Sequence, residues 1–441
     1  MRPAACLLIL LGSTAGFSPL VRPSGLKGFA SAPLQRNEVI RISSEASPST
    51  ATRLFLSTSE TTDDSRAASA AALDYSLSSP PSSPRKIART EKFARLPVWP
   101  VWNGVAIFVI SRLFGEEVAA KLEDSIGGRV CPNFFQDDPR IATTSPFIML
   151  VHHRHSFAAW DVLRYIQRTF FPEGFPAHPH RGFVTVTYIL KGGFRHRDSM
   201  GIKQLYGAEE RHGGKHTQWL TTGGGMLHEE MFDMGEEKFF QPADQELYQL
   251  WLNLPSQDKL MSPRIDLLGG EDETPTVTAT SNGGKSTETI VIAGEHGGAT
   301  STAPIRSDLA ILHVNMEAGT EWHHELPATH ETVVMYVRRG SITVEGERVA
   351  PHHTAYLASQ GSSLTVVAED DGADFLLLAG QPLREPVAAQ GSMVMNTANE
   401  INEAYADYER GAMGFPWSEG LSDDDWKTHV QKFPSRYTTN K

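Results

Sequence analysis

From about residue 140 the chain settles into short apolar runs set between Gly, Pro and Asp. These are FIMLVHH (147–153), FVTVTYIL (183–190), ELYQLWLNL (246–254), LAILHVNM (309–316), TVVMYV (332–337), SITVEG (341–346), LTVVAE (364–369) and FLLLAG (375–380). Runs of this length, rich in β-branched and aromatic residues and bounded by turn formers, predict strands of a sandwich or small barrel. The fold class is therefore all-β. The Gly- and Thr-rich stretch over 269–288 divides the runs into two blocks, 140–268 and 289–385, and reads as a linker. Helical patterns flank them. VWPVWNGVAIFVISRLF (98–114) predicts a packed helix or strand in an N-terminal extension over 89–139, GEEVAAKLEDSIGG (115–128) an amphipathic helix, and EINEAYADYERGAMG (400–414) a helix within a C-terminal segment over 386–441.

The two blocks resemble each other. TYILKGGF (187–194) and MYVRRGSI (335–342) share strand, basic residue, Gly and strand at an offset of 148, which aligns Tyr188 with Tyr336 and Gly192 with Gly340. A duplicated β-barrel follows, each copy building its own core.

Composition narrows the function. A net charge of -12 disfavours a protein that grips a phosphate backbone, so no direct nucleic-acid binding is expected. The 98–114 run falls short of the roughly 20 residues of a membrane span. MRPAACLLILLGSTAG (1–16) has signal-peptide anatomy. Residues 17–88 read as a transit peptide followed by a Ser/Pro-rich disordered linker, since Arg and Lys outnumber acids up to about Leu56 and SLSSPPSSPRK follows. The pair of segments is similar to the bipartite presequences of algae with complex plastids, so a plastid location is expected, with secretion or an endomembrane lumen as the alternative. Of the two cysteines, Cys6 lies in the presumed leader and leaves Cys131 alone, so neither a disulfide nor a thiolate metal site is available.

Metal chemistry must then come from His and carboxylate. In FPAHPHRGF, His178 and His180 sit two apart and point to one face of a strand; Pro179 between them suits a strand start or an edge. GGGMLHEEM repeats the spacing with His228 and Glu230, while Glu229 faces the other way. Three imidazoles and one carboxylate suit Fe(II), Mn(II), Ni(II) or Cu(II) with a position left open; a closed tetrahedral zinc site is the structural alternative. The offset of 148 carries these four residues to Leu326, Ala328, Leu376 and Leu378, which predicts one metal per chain, in the first block. His152, His153, His155, His196, His212 and His216 are read as hydrogen-bonded or solvated, with lining of the pocket mouth as the alternative for His196. Phe183, Phe194 and Trp219 are either core residues or pocket walls.

At these residues the chain resembles the pirin family of the cupin superfamily. HPHRGFVTVTYILKGGFRHRDSMG, QWLTTGGGMLHEEM, LYQLWLNLP and GSMVMNTANEINEAYADYERGAMG carry the resemblance, in the family's order, over roughly 140–415. It implies a bicupin with one metal, usually iron, in the N-terminal barrel, and its ligand pattern falls on His178, His180, His228 and Glu230. Two activities are implied. One is a quercetinase-type dioxygenase acting on a flavonol-like molecule and O₂, with Glu230 accepting the flavonol proton; the other is a non-catalytic redox-sensing regulator working through a protein partner. The chain departs from the family in GGKHTQW (213–219), in the lead SFAAWDVLRYIQRTFFPEG (156–174), and in the N-terminal extension.

Overall fold

A computed structural model of the chain describes residues 83–92, 101–126, 129–134, 143–168, 172–208, 212–235, 243–281 and 283–438. The signal peptide expected over 1–16 and the transit segment up to residue 82 lie outside them. Strand β1 (Ile87–Lys92) and helices α1 (Val101–Phe114) and α2 (Glu116–Ile126) come first. The first barrel follows with β2 (Arg129–Phe134), β3 (Phe147–Phe157), helix α3 (Val162–Arg168), β4 (Gly174–His180), β5 (Phe183–Lys191), β6 (Gly193–Asp198), β7 (Lys203–Gly207), β8 (Thr217–Thr221), β9 (Met226–Phe232), β10 (Ala243–Asn253) and β11 (Arg264–Leu268). Its strands form two antiparallel sheets, one ordered β11-β8-β5-β10-β3-β2 and one ordered β4-β9-β6-β7. The alternation read in FVTVTYIL sets what each face of β5 does: Val184, Val186 and Tyr188 enter a core shared with the second barrel, and Thr187 on the opposite face reaches the first barrel's interior.

The second barrel is built from β12 (Thr276–Thr280), β13 (Ser286–Ala293), the two-residue strands β14 (Glu295–His296) and β15 (Ala299–Thr300), β16 (Leu309–Met316), β17 (Glu321–Glu325), β18 (Thr332–Val344), β19 (Glu347–Val349), β20 (His353–Leu357) and β21 (Ser363–Gly380). Four runs read as separate strands are two long ones. TVVMYV and SITVEG merge into β18, and LTVVAE and FLLLAG into β21, because the sheet passes the intervening polar residues through register shifts at Val337/Arg339 and Gly340/Ile342. Gly340 makes that passage possible: its φ is +64°, and a Cβ there would lie 1.9 Å from the Gly372 carbonyl oxygen. Gly192, its counterpart in the duplication, has φ +76°.

Two boundaries differ from the sequence reading. The stretch over 269–288 is not a linker for its whole length: Thr276–Thr280 pairs with β13, Thr276 opposite Ile290, because TVTAT is β-branched enough to make an edge strand. Nor does the Ser/Pro-rich segment run unstructured to residue 88. Arg85 is buried and donates to the carbonyls of His330 (2.8 Å), Glu331 (3.2 Å) and Gly361 (2.7 Å), and β1 pairs with β20 on the edge of the second barrel.

The C-terminal segment returns to the first barrel. Strands β22 (Ala388–Gln390) and β23 (Met393–Met395) and helices α4 (Ala398–Glu409) and α5 (Asp423–Lys432) place Met393, Ile401, Met413, Trp417 and Trp426 in one cluster with Leu227 of β9. The helix read over 400–414 is α4, begun by a capping box in which Thr397 Oγ1 accepts from Glu400 N–H and Glu400 accepts from Thr397 N–H at 2.7 Å. Thr397→Ala is expected to cost about 1 kcal/mol in urea denaturation.

Candidate metal centre

Strand β4 is the edge of its sheet, which is why Pro179 is accepted between the two histidines. Across the β4/β9 ladder His178 stands directly opposite His228, and His180 opposite Met226. The period of two then turns His178, His180 and His228 to one side. Their Nε2 atoms are 3.0 Å apart between His178 and His180 and 3.1 Å apart between His178 and His228. All three rings are buried, and among the described residues they form the only group of three or more ligand-type side chains with all ligand atoms within 4.8 Å of one another.

Nitrogens bound about 2.0–2.1 Å from an ion lie roughly 2.9 Å apart at right angles and roughly 3.4 Å apart at the tetrahedral angle. The observed spacings sit near the first value, so the cluster fits an ion with further positions to fill. His178 Nδ1 lies 2.7 Å from the Pro176 carbonyl; as donor there it leaves the Nε2 lone pair for the cluster. Burial is the main cause that keeps the rings neutral. It pushes His178 down to about 4, and it pushes His180 and His228 well below the ordinary histidine value. Neutral imidazole is the ligating form.

A pH dependence follows for the metal-free chain. Below about 6.5 the unfolded histidines take up protons, while folded His178 does so only near 4. The unfolded state therefore binds more protons between these values. Stability should fall as pH drops through that window, by roughly 1.4 kcal/mol per pH unit for each such histidine. Thermal melts of chelator-treated protein between neutral pH and pH 4 check it.

Glu230 shares the face of His228 on β9, but it stands outside the three-histidine group. Its Oε1 accepts from Tyr206 Oη at 2.5 Å and from Thr187 Oγ1 at 3.0 Å. Both bonds end on Oε1, so ligation would fall to Oε2. Burial raises its pKa, and the Tyr206 bond works in the opposite direction. Glu229 turns to the other face, where it accepts from Arg197 Nε at 2.5 Å and from Trp417 Nε1 at 2.8 Å.

Around the cluster, Phe183 and Trp251 pack on His180 with ring centroids 5.1 and 5.3 Å away. Phe194 packs on Tyr206, and Trp219 belongs to the inter-barrel core. His196 is not at a pocket mouth. It is fully buried, opposite Glu230 on β6, with Nε2 3.2 Å from Asp198. Its place follows from a sheet pairing that the sequence spacing does not specify.

His152 is buried between Tyr336 Oη (2.9 Å) and Glu246 Oε1 (3.0 Å), and His212 lies 2.8 Å from Asp233. Tyr206 and Thr187 were missed because nothing in their local sequence marks them; only the pairing of β6 with both β7 and β9 brings Tyr206 to Glu230.

The second barrel needs a corrected alignment. Val344 lies opposite Val366, and Trp322 and His324 lie opposite Val366 and Leu364. The equivalents of His178, His180, His228 and Glu230 are thus His324, Leu326, Leu364 and Val366: the constant offset overshoots the first pair by two residues and, because the first barrel has a longer connection before β9, the later pair by twelve. Three of the four positions are apolar. His324 instead meets His296, Nδ1 to Nδ1 at 3.0 Å.

Residues 129–252 match the Pirin family model, and residues 311–414 match the Pirin C-terminal cupin domain. A pirin-like protein of Solanum lycopersicum is 32% identical over 312 residues, covering 70% of this chain and 96% of that protein. The chain belongs to the pirin family. The pirin of Homo sapiens is 32% identical over 331 residues, covering 74% of this chain and 97% of its own. Among solved structures, a quercetin 2,3-dioxygenase from Acinetobacter baumannii superposes with a TM-score of 0.58 at 28% identity, over 75% of this chain and 99% of that one. This pirin-family chain is accordingly a mostly-β protein with two cupin domains, and its histidine triad is a site able to hold a metal ion. No helix among the described residues is long and apolar enough to cross a membrane.

Proposed function

We propose that this pirin-family protein is a metal-dependent dioxygenase of the quercetinase type, opening the ring of a flavonol-like substrate with O₂. The observation that carries the reading is the buried, neutral His178–His180–His228 cluster with Glu230 on the same strand face, in a chain similar to a structure named quercetin 2,3-dioxygenase.

The cluster and Glu230 would hold one divalent ion, with iron(II) the first choice from the family and Mn, Ni, Cu or Zn accepted by the same donors. Such an ion supplies Lewis-acid binding for adjacent oxygen atoms and a route for O₂ to react. The protein's own residues do the rest. Glu230, whose pKa burial raises, takes the flavonol hydroxyl proton on Oε2 when that oxygen is not engaged with the metal, while Tyr206 and Thr187 fix where its Oε1 sits. Phe183 and Trp251 give the site apolar surface beside His180, as a flat aromatic substrate requires.

The test is quercetin absorbance followed with iron-loaded protein under air and under nitrogen. Oxygen-dependent loss is expected. Glu230→Gln should lower turnover by about 10²–10⁴ if the carboxylate is the base. One ion per chain with no turnover would reject the dioxygenase and leave a redox-responsive regulator acting through a protein partner.

A further inference from the structure

The two segments that depart from the family's pattern on the N-terminal side, the extension and the lead into the first histidine pair, each contain a helix with an apolar face that no described residue covers. On α1, Val105, Phe108, Val109, Arg112 and Leu113 follow the i, i+3, i+4, i+7, i+8 spacing of one helix face, and all five are exposed, Phe108 at 60% and Leu113 at 69%. On α3, Val162 is 70% exposed, and Leu163 and Ile166 are about half exposed. Trp102 of α1 meets Trp160, just before α3, edge to face at 5.3 Å, which joins the two helices into one surface. A contiguous apolar area of this kind marks an interaction site rather than ordinary surface.

We infer that α1 and α3 together form a docking surface for an anionic lipid bilayer, on which this protein sits peripherally. Charge favours that occupant. Neither helix contains an acidic residue, in a chain whose net charge is -12. Arg164 is buried against Glu173 at 2.5 Å, so the exposed cations of the two helices are Arg112 and Arg168, the latter half exposed with its Nε 3.8 Å from Glu173. The Arg112 guanidinium carbon lies over the Phe108 ring, 5.3 Å from its centroid, so a positive charge sits on the apolar face itself. A second copy of this surface would bring no acidic residue from either helix to pair with these arginines, whereas anionic headgroups do.

Length points the same way. The 14 residues of α1 reach about 21 Å, short of the roughly 30 Å hydrocarbon core, so the helix can lie in the interface and cannot cross it. Trp160 and Tyr165, both part exposed, are the residue types that gather where apolar and wet layers meet. The acidic helix α2 is held away from this role by the second barrel, with Glu117 3.7 Å from Arg348 and Lys121 3.0 Å from Asp371.

The experiment is co-sedimentation of the full chain with vesicles of phosphatidylcholine alone and of phosphatidylcholine mixed with phosphatidylglycerol. Binding is expected, stronger on the mixed vesicles and weakened by salt. The pair Phe108→Ser with Leu113→Ser should lower it about tenfold or more, and Val162→Ser with Ile166→Ser should do the same from the other helix. Arg112→Gln with Arg168→Gln should abolish the preference for the anionic vesicles. Unchanged circular dichroism and metal content certify that each variant is folded; these side chains are exposed, so folding should survive. The inference is overturned if the wild type stays in the supernatant. It is equally overturned if both serine pairs bind like the wild type, as they would were binding carried by the apolar run at residues 4–11. A serine pair that instead turns a dimer into a monomer in light scattering would reassign the surface to a second copy of this chain.

Discussion

His228→Ala is expected to empty the first barrel of metal. His228 faces His178 directly across the β4/β9 ladder and is fully buried, so alanine leaves no replacement donor at that position. Loss of an outer partner of a metal ligand costs roughly 10–100-fold in affinity, and loss of a ligand itself should exceed that. Metal content by mass spectrometry after gel filtration is the direct reading, with His178→Ala expected to behave alike and Leu326→His in the second barrel expected to add no ion. In the metal-free state the same substitution removes a buried ring that resists protonation, so His228→Ala should flatten the loss of stability between pH 6.5 and 4. Stoichiometric metal retained by the double variant His178→Ala, His228→Ala would refute the assignment.

Arg338→Met should destabilise the chain by about 3–5 kcal/mol, the cost of leaving buried carboxylates without their cation. Arg338 Nε donates to Asp374 at 2.9 Å, Nη2 bonds the same carboxylate, and Nη1 donates to Glu246 of the first barrel at 3.1 Å. The charges do not stop there: Asp374 Oδ1 lies 3.1 Å from His313, and His313 Nδ1 lies 2.9 Å from Tyr188 Oη of the first barrel. Burial opposes ionisation of Glu246, yet the His152 hydrogen bond and Arg338 hold it well below the usual carboxylate range, and Asp374 is held low by His313 and Arg338 against the same burial. Urea denaturation at neutral pH should show the loss. The deficit should shrink as pH falls, because carboxylates deprived of Arg338 take up protons readily and cease to be buried charges.

The histidine triad was legible because its geometry is local: two residues apart on a strand means one face, and two such pairs mean one pocket. The carboxylate's setting was not. Tyr206 and Thr187 reach Glu230 only through sheet neighbours that sequence spacing cannot name; His196 has the local hydrogen bond expected of it, to Asp198, but the β6/β9 pairing buries it beside Glu230 and away from a rim. The duplication was legible in its Tyr and Gly landmarks, but a constant offset assumed equal connections, and the shorter second barrel put Leu364 and Val366 where Leu376 and Leu378 were expected. The hairpin over 276–290 is masked in the sequence by the Gly and Asp residues that surround its β-branched run, which give the whole stretch the composition of a linker. Helix α3 is short and apolar on its outer side, which a search for amphipathic stripes passes over.

The C-terminal segment also sets an order of events during synthesis. Arg181, beside the ligand His180, is bonded to Asp407 across 226 residues of chain; Lys259 donates to the Gly182 and Val394 carbonyls, and Glu229 accepts from Trp417. Through Asp407, Val394 and Trp417 these bonds tie the histidine-bearing strands to residues translated after both barrels are complete. Chains emerge and fold from the N-terminus at about 5–20 residues per second, so the ligand strands spend many seconds with their outer face bare. Backing of the histidine-bearing strands is therefore a late step of maturation, and a chain cut before residue 400 would carry all three histidines without the C-terminal cluster that packs on Leu227.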